Sequence, residues 1–318
     1  GPTYAFKDFG ARFMGRMLGY LGDGQPITIL AATSGDAGSA VAHGFYGVDN
    51  VRVVILYPDG KVSPLQEAQM TTLGGNITPL KVAGNFDDCQ RLVKTMFKDS
   101  ELRKMVRITS ANSINLLRWL PQSFYYFYAY AQMKKLGLAD ELVVCVPSGN
   151  FGNICSALFG KKMGLPVKRF IAANNANDIF FKYLQTGKYE PRASVQTIAN
   201  AMDVGDPSNF ARIYDLYKAD HAAICADISG ATYSDEQIAE TIREVYGETG
   251  YLCDPHGACG YRALKEGLTE GEVGVFLETA HPAKFRDTVE GIVKAEVAIP
   301  EKLQAFMRGT KQSVPMTA

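Results

Sequence analysis

The chain has 318 residues, 33 basic and 33 acidic, and 47% of them are hydrophobic. Zero net charge argues against nucleic acid or a membrane surface as the main partner, and no apolar run approaches the roughly 20 residues that span a bilayer. The length suggests about two domains with large cores.

The first predicted element is a helix-like run from Ala11 to Leu21. Ile27 to Ala32 reads as a buried strand, Ala37 to Tyr46 as a helix, and Val51 to Leu56 as a second strand ended by Tyr57-Pro58-Asp59-Gly60. Ser63 to Leu73 reads as a helix with Ser63 as N-cap and Pro64 at the first helical position. Gly74-Gly75-Asn76 turns the chain into a strand at Ile77 to Leu80, and Phe86 to Phe97 is again helical. This alternation, with continuous apolar strands, predicts an α/β fold: open, mostly parallel twisted sheets with helices on both faces. Asn115 to Lys135 is a long, aromatic-rich helical stretch that Pro121 kinks or divides. Leu142 to Val146 is a strand, Phe151 to Met163 a helix, and Val167 to Ala172 a strand. Asp178 to Ser208 looks less regular. Helices follow at Asn209–Lys218, at Asp235–Tyr246 and after Pro255. A last strand, Glu272 to Leu277, leads into a polar turn, and the tail after Pro300 reads as a short helix with a loose end.

Six cysteines (Cys89, Cys145, Cys155, Cys225, Cys253, Cys259) form no CxxC pair and read as reduced thiols. His256 lies between two of them, but the usual ligand spacings for zinc are missing, so no metal is expected.

Open parallel sheets bind ligands at the carboxyl ends of their strands. Three turns hold that position: Thr33-Ser34-Gly35-Asp36-Ala37-Gly38, Ser148-Gly149-Asn150-Phe151-Gly152-Asn153, and Glu278-Thr279-Ala280-His281-Pro282. In the second, two glycines free the backbone at a helix start, which suits a phosphate. It has neither the GK[ST] of a nucleotide loop nor GxGxxG. Thr279 offers a hydroxyl just past a strand end. A further cluster, Ser110-Ala111-Asn112-Ser113-Ile114-Asn115-Leu116-Leu117-Arg118, sets short polar side chains and an arginine at a helix start, where they suit an oxyanion. Finally, Lys7 stands between Phe6 and Phe9 in Gly1-Pro2-Thr3-Tyr4-Ala5-Phe6-Lys7-Asp8-Phe9-Gly10. Partial desolvation lowers a lysine pKa, and such an amine can form a Schiff base.

Lysine, phosphate cradle and strand-end hydroxyl are the parts of a pyridoxal-phosphate site. The sequence resembles the threonine synthases, in the β-family (fold type II) of pyridoxal-phosphate enzymes, which also contains the tryptophan synthase β-like chains. GPTYAFKDFG is similar to the family's cofactor-lysine motif, SGNFGN to its cofactor-phosphate loop, and ETAHPAKF to its motif around the ring-nitrogen partner. ATSGDAGSAVAHGF, SANSINLLRWLPQ and NAMDVGDPSN also match, in the expected order, from Gly1 to about Val293. Two departures stand out. The family chain carries a segment before the cofactor lysine, so an N-terminal domain and part of the active-site wall are expected to be absent here, along with any targeting signal. Ala37 replaces the threonine of the family's SGDTG turn, so one hydroxyl is lost.

The resemblance implies a larger cofactor-binding domain from residues 1–30 and 140–300, a smaller α/β domain over 31–139 and a tail over 301–318. It implies pyridoxal 5'-phosphate as cofactor, with Lys7 as its lysine and as the acid/base. Asp36, Gly149, Asn150, Phe151, Gly152, Asn153 and Thr279 would bind the cofactor. Ser113, Asn115 and Arg118 would hold the phosphate of the substrate, O-phospho-L-homoserine, with Lys61 as a weaker candidate and Asp8 capping or orienting. The expected reaction adds water and releases L-threonine and phosphate, in a cytoplasmic monomer or homodimer. Two alternatives stand beside it: another β-family lyase or dehydratase that releases a 2-oxo acid, and a non-catalytic ligand-binding protein on the same fold.

Overall fold

The computed structural model describes all 318 residues. They form two compact units, one of Gly1–Arg118 with Ala298–Ala318 and one of Trp119–Val297.

The first unit runs α1 (Lys7–Leu21), β1 (Ile27–Ala32), α2 (Asp36–Phe45), β2 (Val51–Pro58), α3 (Pro64–Thr71), β3 (Ile77–Ala83), α4 (Phe86–Lys98), α5 (Ser100–Met105) and β4 (Ile108–Ser110), with α6 (Leu116–Trp119) at its boundary. The second continues with α7 (Ser123–Lys135), β5 (Leu142–Pro147), α8 (Gly152–Lys162), β6 (Arg169–Asn174), α9 (Ile179–Thr186), α10 (Phe210–Leu216), α11 (His221–Asp227), β7 (Ile228–Thr232), α12 (Asp235–Thr249), α13 (Pro255–Gly267), β8 (Val273–Phe276) and α14 (Arg286–Val293). The chain then returns to the first unit as α15 (Glu301–Met307) and β9 (Val314–Thr317).

Every strand pairing is parallel. The first sheet has the order β4-β1-β2-β3-β9 and the second β7-β6-β5-β8. Alternate residues of a strand serve opposite faces. In the first unit, Ile29, Ala31, Val53 and Ile55 share a core with Val41, Phe45 and Met70, while Leu30, Ala32 and Leu56 meet Cys89 and Val93 of α4. In the second, Val144, Val146, Phe170 and Ala172 pack with Ile154 and Leu158 of α8. Val143, Cys145 and Ile171 pack with Ile242 of α12 and Cys259 of α13. Burial on both faces explains the continuous apolar strands.

Several local signals act as read. The Ser63 hydroxyl accepts the Gln66 amide at 3.2 Å while the Gln66 side chain accepts the Ser63 amide at 3.1 Å, a closed capping box at the start of α3. Pro121 does divide the aromatic stretch, because its ring cannot continue an α-helix: α6 ends, a 3₁₀ turn spans Leu120–Gln122, and α7 follows.

Other features differ from expectation. The first helix starts at Lys7, four residues earlier than read, so the lysine lies in its first turn. Met14 of α1 shares a core with Val41 and Phe45, which places residues 1–30 in the first unit. Tyr126 of α7 packs with Val144 and Leu158, which places residues 119–139 in the second. The tail is not loose: β9 pairs with β3 from Leu80↔Val314 to Ala83↔Thr317.

Candidate active site

Lys7 is half-buried, with its Nζ 5.8 Å from the centroid of the Phe6 ring. The turn before it is unusual: Tyr4 takes the left-handed conformation at φ 57°, a costly state for a residue with a bulky side chain. Asp8 holds that turn, accepting the Thr3 amide at 2.9 Å and the Thr3 hydroxyl at 2.6 Å, and Gln69 Nε2 donates to the Thr3 carbonyl at 3.2 Å. On the next turn of α1, Gly10 lies against the backbone of Arg118. A Cβ there would stand 1.8 Å from the Arg118 carbonyl oxygen, so only glycine fits.

The first unit also contains the Asp36 turn and the oxyanion cluster. Asp36 is buried and accepts Gln66 Nε2 at 3.1 Å. The Thr33 hydroxyl accepts the amides of Gly35 at 2.9 Å and Gly38 at 2.8 Å, so it caps part of the helix start beside Asp36. Asn112 closes the end of β1, exchanging hydrogen bonds with both the amide and the carbonyl of Ala32. Asn115 uses both ends of its carboxamide on its own turn, donating to the Ser110 carbonyl and accepting the Leu117 amide, each at 3.0 Å. Arg118 points inward and donates to the Ala111 carbonyl. Burial lowers its guanidinium to about 10, with the charge of Asp8 opposing. Ser113 is half-buried, and Lys61 is exposed in the turn after β2.

In the second unit, the SGNFGN loop follows β5 and opens α8. Phe151 stands at the helix start in the left-handed conformation (φ 62°, ψ 9°) and supplies no side-chain cap. Its ring is buried and tilted against Phe180 with centroids 4.6 Å apart, which offsets the backbone strain. The amides at the start of α8 therefore form an uncapped positive end. Gly149 presses against a neighbouring 3₁₀ turn, Asn200–Met202. A Cβ on it would lie 2.6 Å from Met202 Cα and 2.8 Å from the Ala201 carbonyl oxygen. The Asn150 side-chain oxygen accepts the Ser208 amide at 2.7 Å and hydroxyl at 3.0 Å, so the NAMDVGDPSN segment braces the loop. Asn153 is buried. Its carboxamide oxygen accepts the hydroxyls of Tyr125 at 2.5 Å and Tyr126 at 2.6 Å, and its amide nitrogen has no partner in the protein.

Thr279 is buried three residues beyond β8. Its neighbour Glu278 is a buried carboxyl that burial first, and Asp254 second, push up to about 10, so it is protonated at neutral pH. Burial likewise lowers His281 below the ordinary histidine range.

These features fit pyridoxal phosphate. An uncapped helix start and an unpartnered carboxamide donor suit a dianion, and a buried neutral hydroxyl suits a ring nitrogen. Sequence reading missed the tyrosines that orient Asn153, the Asp254–His256 pair described below, and Lys284, a fully buried lysine in the Pro282–Phe285 turn. Only the aromatic run at 124–128 signalled the first of these. No group of three or more His, Cys, Asp and Glu side chains is placed to hold a metal ion. An open hollow of about 340 Å³ on α4, lined by Asp87, Arg91, Lys94 and Lys98, contains none of the candidate residues.

The family model "Pyridoxal-phosphate dependent enzyme" matches residues 1–279, and "Threonine synthase, C-terminal" matches residues 257–318. The threonine synthase of Serratia marcescens is 52% identical over 303 residues, which cover 95% of this chain and 70% of that one. The crystal structure of threonine synthase from Escherichia coli superposes with a TM-score of 0.93 at 48% identity, covering 100% of this chain and 73% of the other. That of pyridoxal-phosphate-bound threonine synthase from Brucella melitensis gives 0.91 at 38% identity, covering 100% and 74%. With two parallel sheets, the cofactor-lysine motif and the phosphate loop all present in order, the chain belongs to the threonine synthase family of pyridoxal-phosphate enzymes.

Proposed function

We propose that the protein converts O-phospho-L-homoserine and water into L-threonine and phosphate, using pyridoxal 5'-phosphate. The observation that carries this reading is the start of α8: an uncapped helix end, with Gly149 closely packed and the amide nitrogen of Asn153 unpartnered.

The assigned roles follow from the chemistry of each group. Lys7 Nζ holds the cofactor covalently. The backbone of Gly149, Asn150, Phe151 and Gly152 and the side chain of Asn153 hold its phosphate. The Thr279 hydroxyl would serve the ring nitrogen without imposing a charge, and Asp36 would help to bind the cofactor. When bound, the cofactor delocalises the electron pair left at the substrate's Cα. Lys7 Nζ would take protons from Cα and Cβ, and protons would return to Cγ, which becomes the methyl group once phosphate has left, and to Cα. The oxyanion cluster would hold the substrate phosphate, which departs from Cγ, through Ser113. Asn115 and Arg118, the other two candidates, are engaged on their own segment and would have to turn from those bonds to reach it. Water supplies the hydroxyl at Cβ. The six thiols form no disulfide, which suits the cytoplasm; we propose a monomer or homodimer there.

The test is turnover of O-phospho-L-homoserine by the cofactor-loaded protein, with phosphate and L-threonine both quantified. Equal amounts of the two support the reading. Phosphate with a 2-oxo acid supports a lyase, and cofactor binding without any product supports a ligand-binding protein.

A further inference from the structure

The proposed mechanism leaves several buried titratable side chains in the second unit without a role, among them an acid–histidine pair. His256 and Asp254 are 2% and 0% exposed. Asp254 caps α13 by accepting the His256 amide at 2.9 Å, and its Oδ1 also stands 2.5 Å from His256 Nδ1. The other ring nitrogen, Nε2, accepts the backbone N–H of Ala201 at 3.1 Å. A backbone N–H can only donate, so Nε2 carries no proton and the ring proton sits on Nδ1, facing the carboxylate. The arrangement resembles an acid–histidine pair, with a backbone amide where a nucleophile would stand. It therefore activates nothing and holds something in place.

What it holds is the Asn200–Met202 turn. This is the turn that Gly149 touches, with 2.6 Å between the position of a Cβ and Met202 Cα. The two residues that flank the turn are anchored by a different side chain. Asn175 Nδ2 donates to the Ala199 carbonyl at 3.2 Å and to Asp203 Oδ1 at 2.9 Å. His256 supplies the anchor at Ala201, the middle residue of the turn, whose carbonyl oxygen lies 2.8 Å from the position of a Cβ on Gly149.

We infer that His256 is a positioning residue for the cofactor-phosphate cradle: through its Nε2 bond to the Ala201 amide it fixes the wall against which Gly149 sets the start of α8. Asp254 acts through it by selecting the tautomer that leaves Nε2 free to accept. The inference deepens the proposed cofactor reading and rests on it.

Two substitutions separate this role from simple core filling. Asparagine places its polar end near Nδ1, so His256→Asn keeps the Asp254 contact and loses the Ala201 bond. Glutamine reaches the position of Nε2, so His256→Gln keeps an acceptor for Ala201. The full chain is titrated with pyridoxal phosphate, and the bound phosphate is followed by its phosphorus-31 resonance. The expected result is a Kd raised about tenfold with a shifted, broadened resonance in His256→Asn, and a Kd within about twofold of wild type in His256→Gln. Equal affinity in both variants, or equal loss in both, overturns the inference while the cofactor reading stands. No uptake of cofactor by wild type overturns both. If His256→Asn does not fold, hydrogen exchange at the Ala201 amide of wild type decides: exchange slowed by cofactor loading supports the coupling, and unchanged exchange refutes it.

Discussion

Replacing Gly149 by alanine tests the phosphate cradle at its tightest point. The added Cβ would lie 2.6 Å from Met202 Cα and 2.8 Å from the Ala201 carbonyl oxygen, both backbone atoms that cannot rotate away. Ordinary contact begins near 3.4 Å, so either the loop or the turn must retreat by about 0.8 Å. Overpacking of this kind typically costs about 1–3 kcal/mol. The turn is pinned at Ala199, Ala201 and Asp203, and the loop is held on either side of the glycine at Ser148 and Asn150, so the clash strains the loop between those anchors as well as the turn. The displacement should therefore appear at the amides that bind the phosphate. Each 1.4 kcal/mol is a factor of ten in affinity, so the expected Kd for pyridoxal phosphate rises by about 10- to 100-fold. Spectrophotometric titration of the cofactor measures this, with a denaturation curve of the apo form recorded beside it. An alanine variant that binds the cofactor as wild type does would refute the placement of this loop as the cradle.

Removing both tyrosine hydroxyls that donate to Asn153, as Tyr125→Phe with Tyr126→Phe, leaves a buried acceptor unsatisfied. It should weaken cofactor binding and cost about 1–3 kcal/mol of stability, read by titration and by urea denaturation. Glu272 is held below the ordinary carboxylate range, first by Arg169, whose Nε and Nη2 reach its two oxygens at 2.9 and 2.5 Å. Its contribution is therefore complete above about pH 4.3, the ordinary glutamate value, and is lost as the pH falls through the lowered native value. Glu272→Gln should cost about 2 kcal/mol at neutral pH, an amount discounted because Arg169 is part-exposed, and the deficit should shrink in acid; urea midpoints across pH 2–7 measure it. Ser63→Ala opens the capping box of α3 and should cost about 1 kcal/mol, seen as a lower urea midpoint at an unchanged slope.

What the sequence reveals depends on how far each residue acts. β1 is read residue for residue, because both faces of Ile27–Ala32 are buried and its run is unbroken. The cap at Ser63 and the break at Pro121 are equally local and equally legible. β4 and β9 are not: each has only three or four residues at a sheet edge, and Pro315 is tolerated in β9 because an edge strand leaves one side unpaired. α9 hides in a stretch dominated by turn residues, and β7, Ile228-Ser229-Gly230-Ala231-Thr232, has too little apolar character to signal a strand. The same divide runs through the candidate site. The lysine motif, the phosphate loop and Thr279 stand in the sequence as contiguous strings. The support behind them does not: His256 reaches an amide 55 positions away, and Tyr125 and Tyr126 reach an asparagine 28 and 27 positions away. The asparagine of the oxyanion cluster shows the reverse limit. Asn115 reads as a ligand in the sequence but uses both its polar ends on its own turn.

The account rests most heavily on Lys7, and the protein offers a competitor in Lys284, which is far more deeply buried. The direct measurement is to load the protein with pyridoxal phosphate, reduce it with borohydride, and map the pyridoxyl group by peptide mass spectrometry. A single label on the peptide that contains Lys7, absent from Lys7→Ala, is the expected result. A label on Lys284, or one that survives in Lys7→Ala, would contradict the assignment of the chemistry to Lys7.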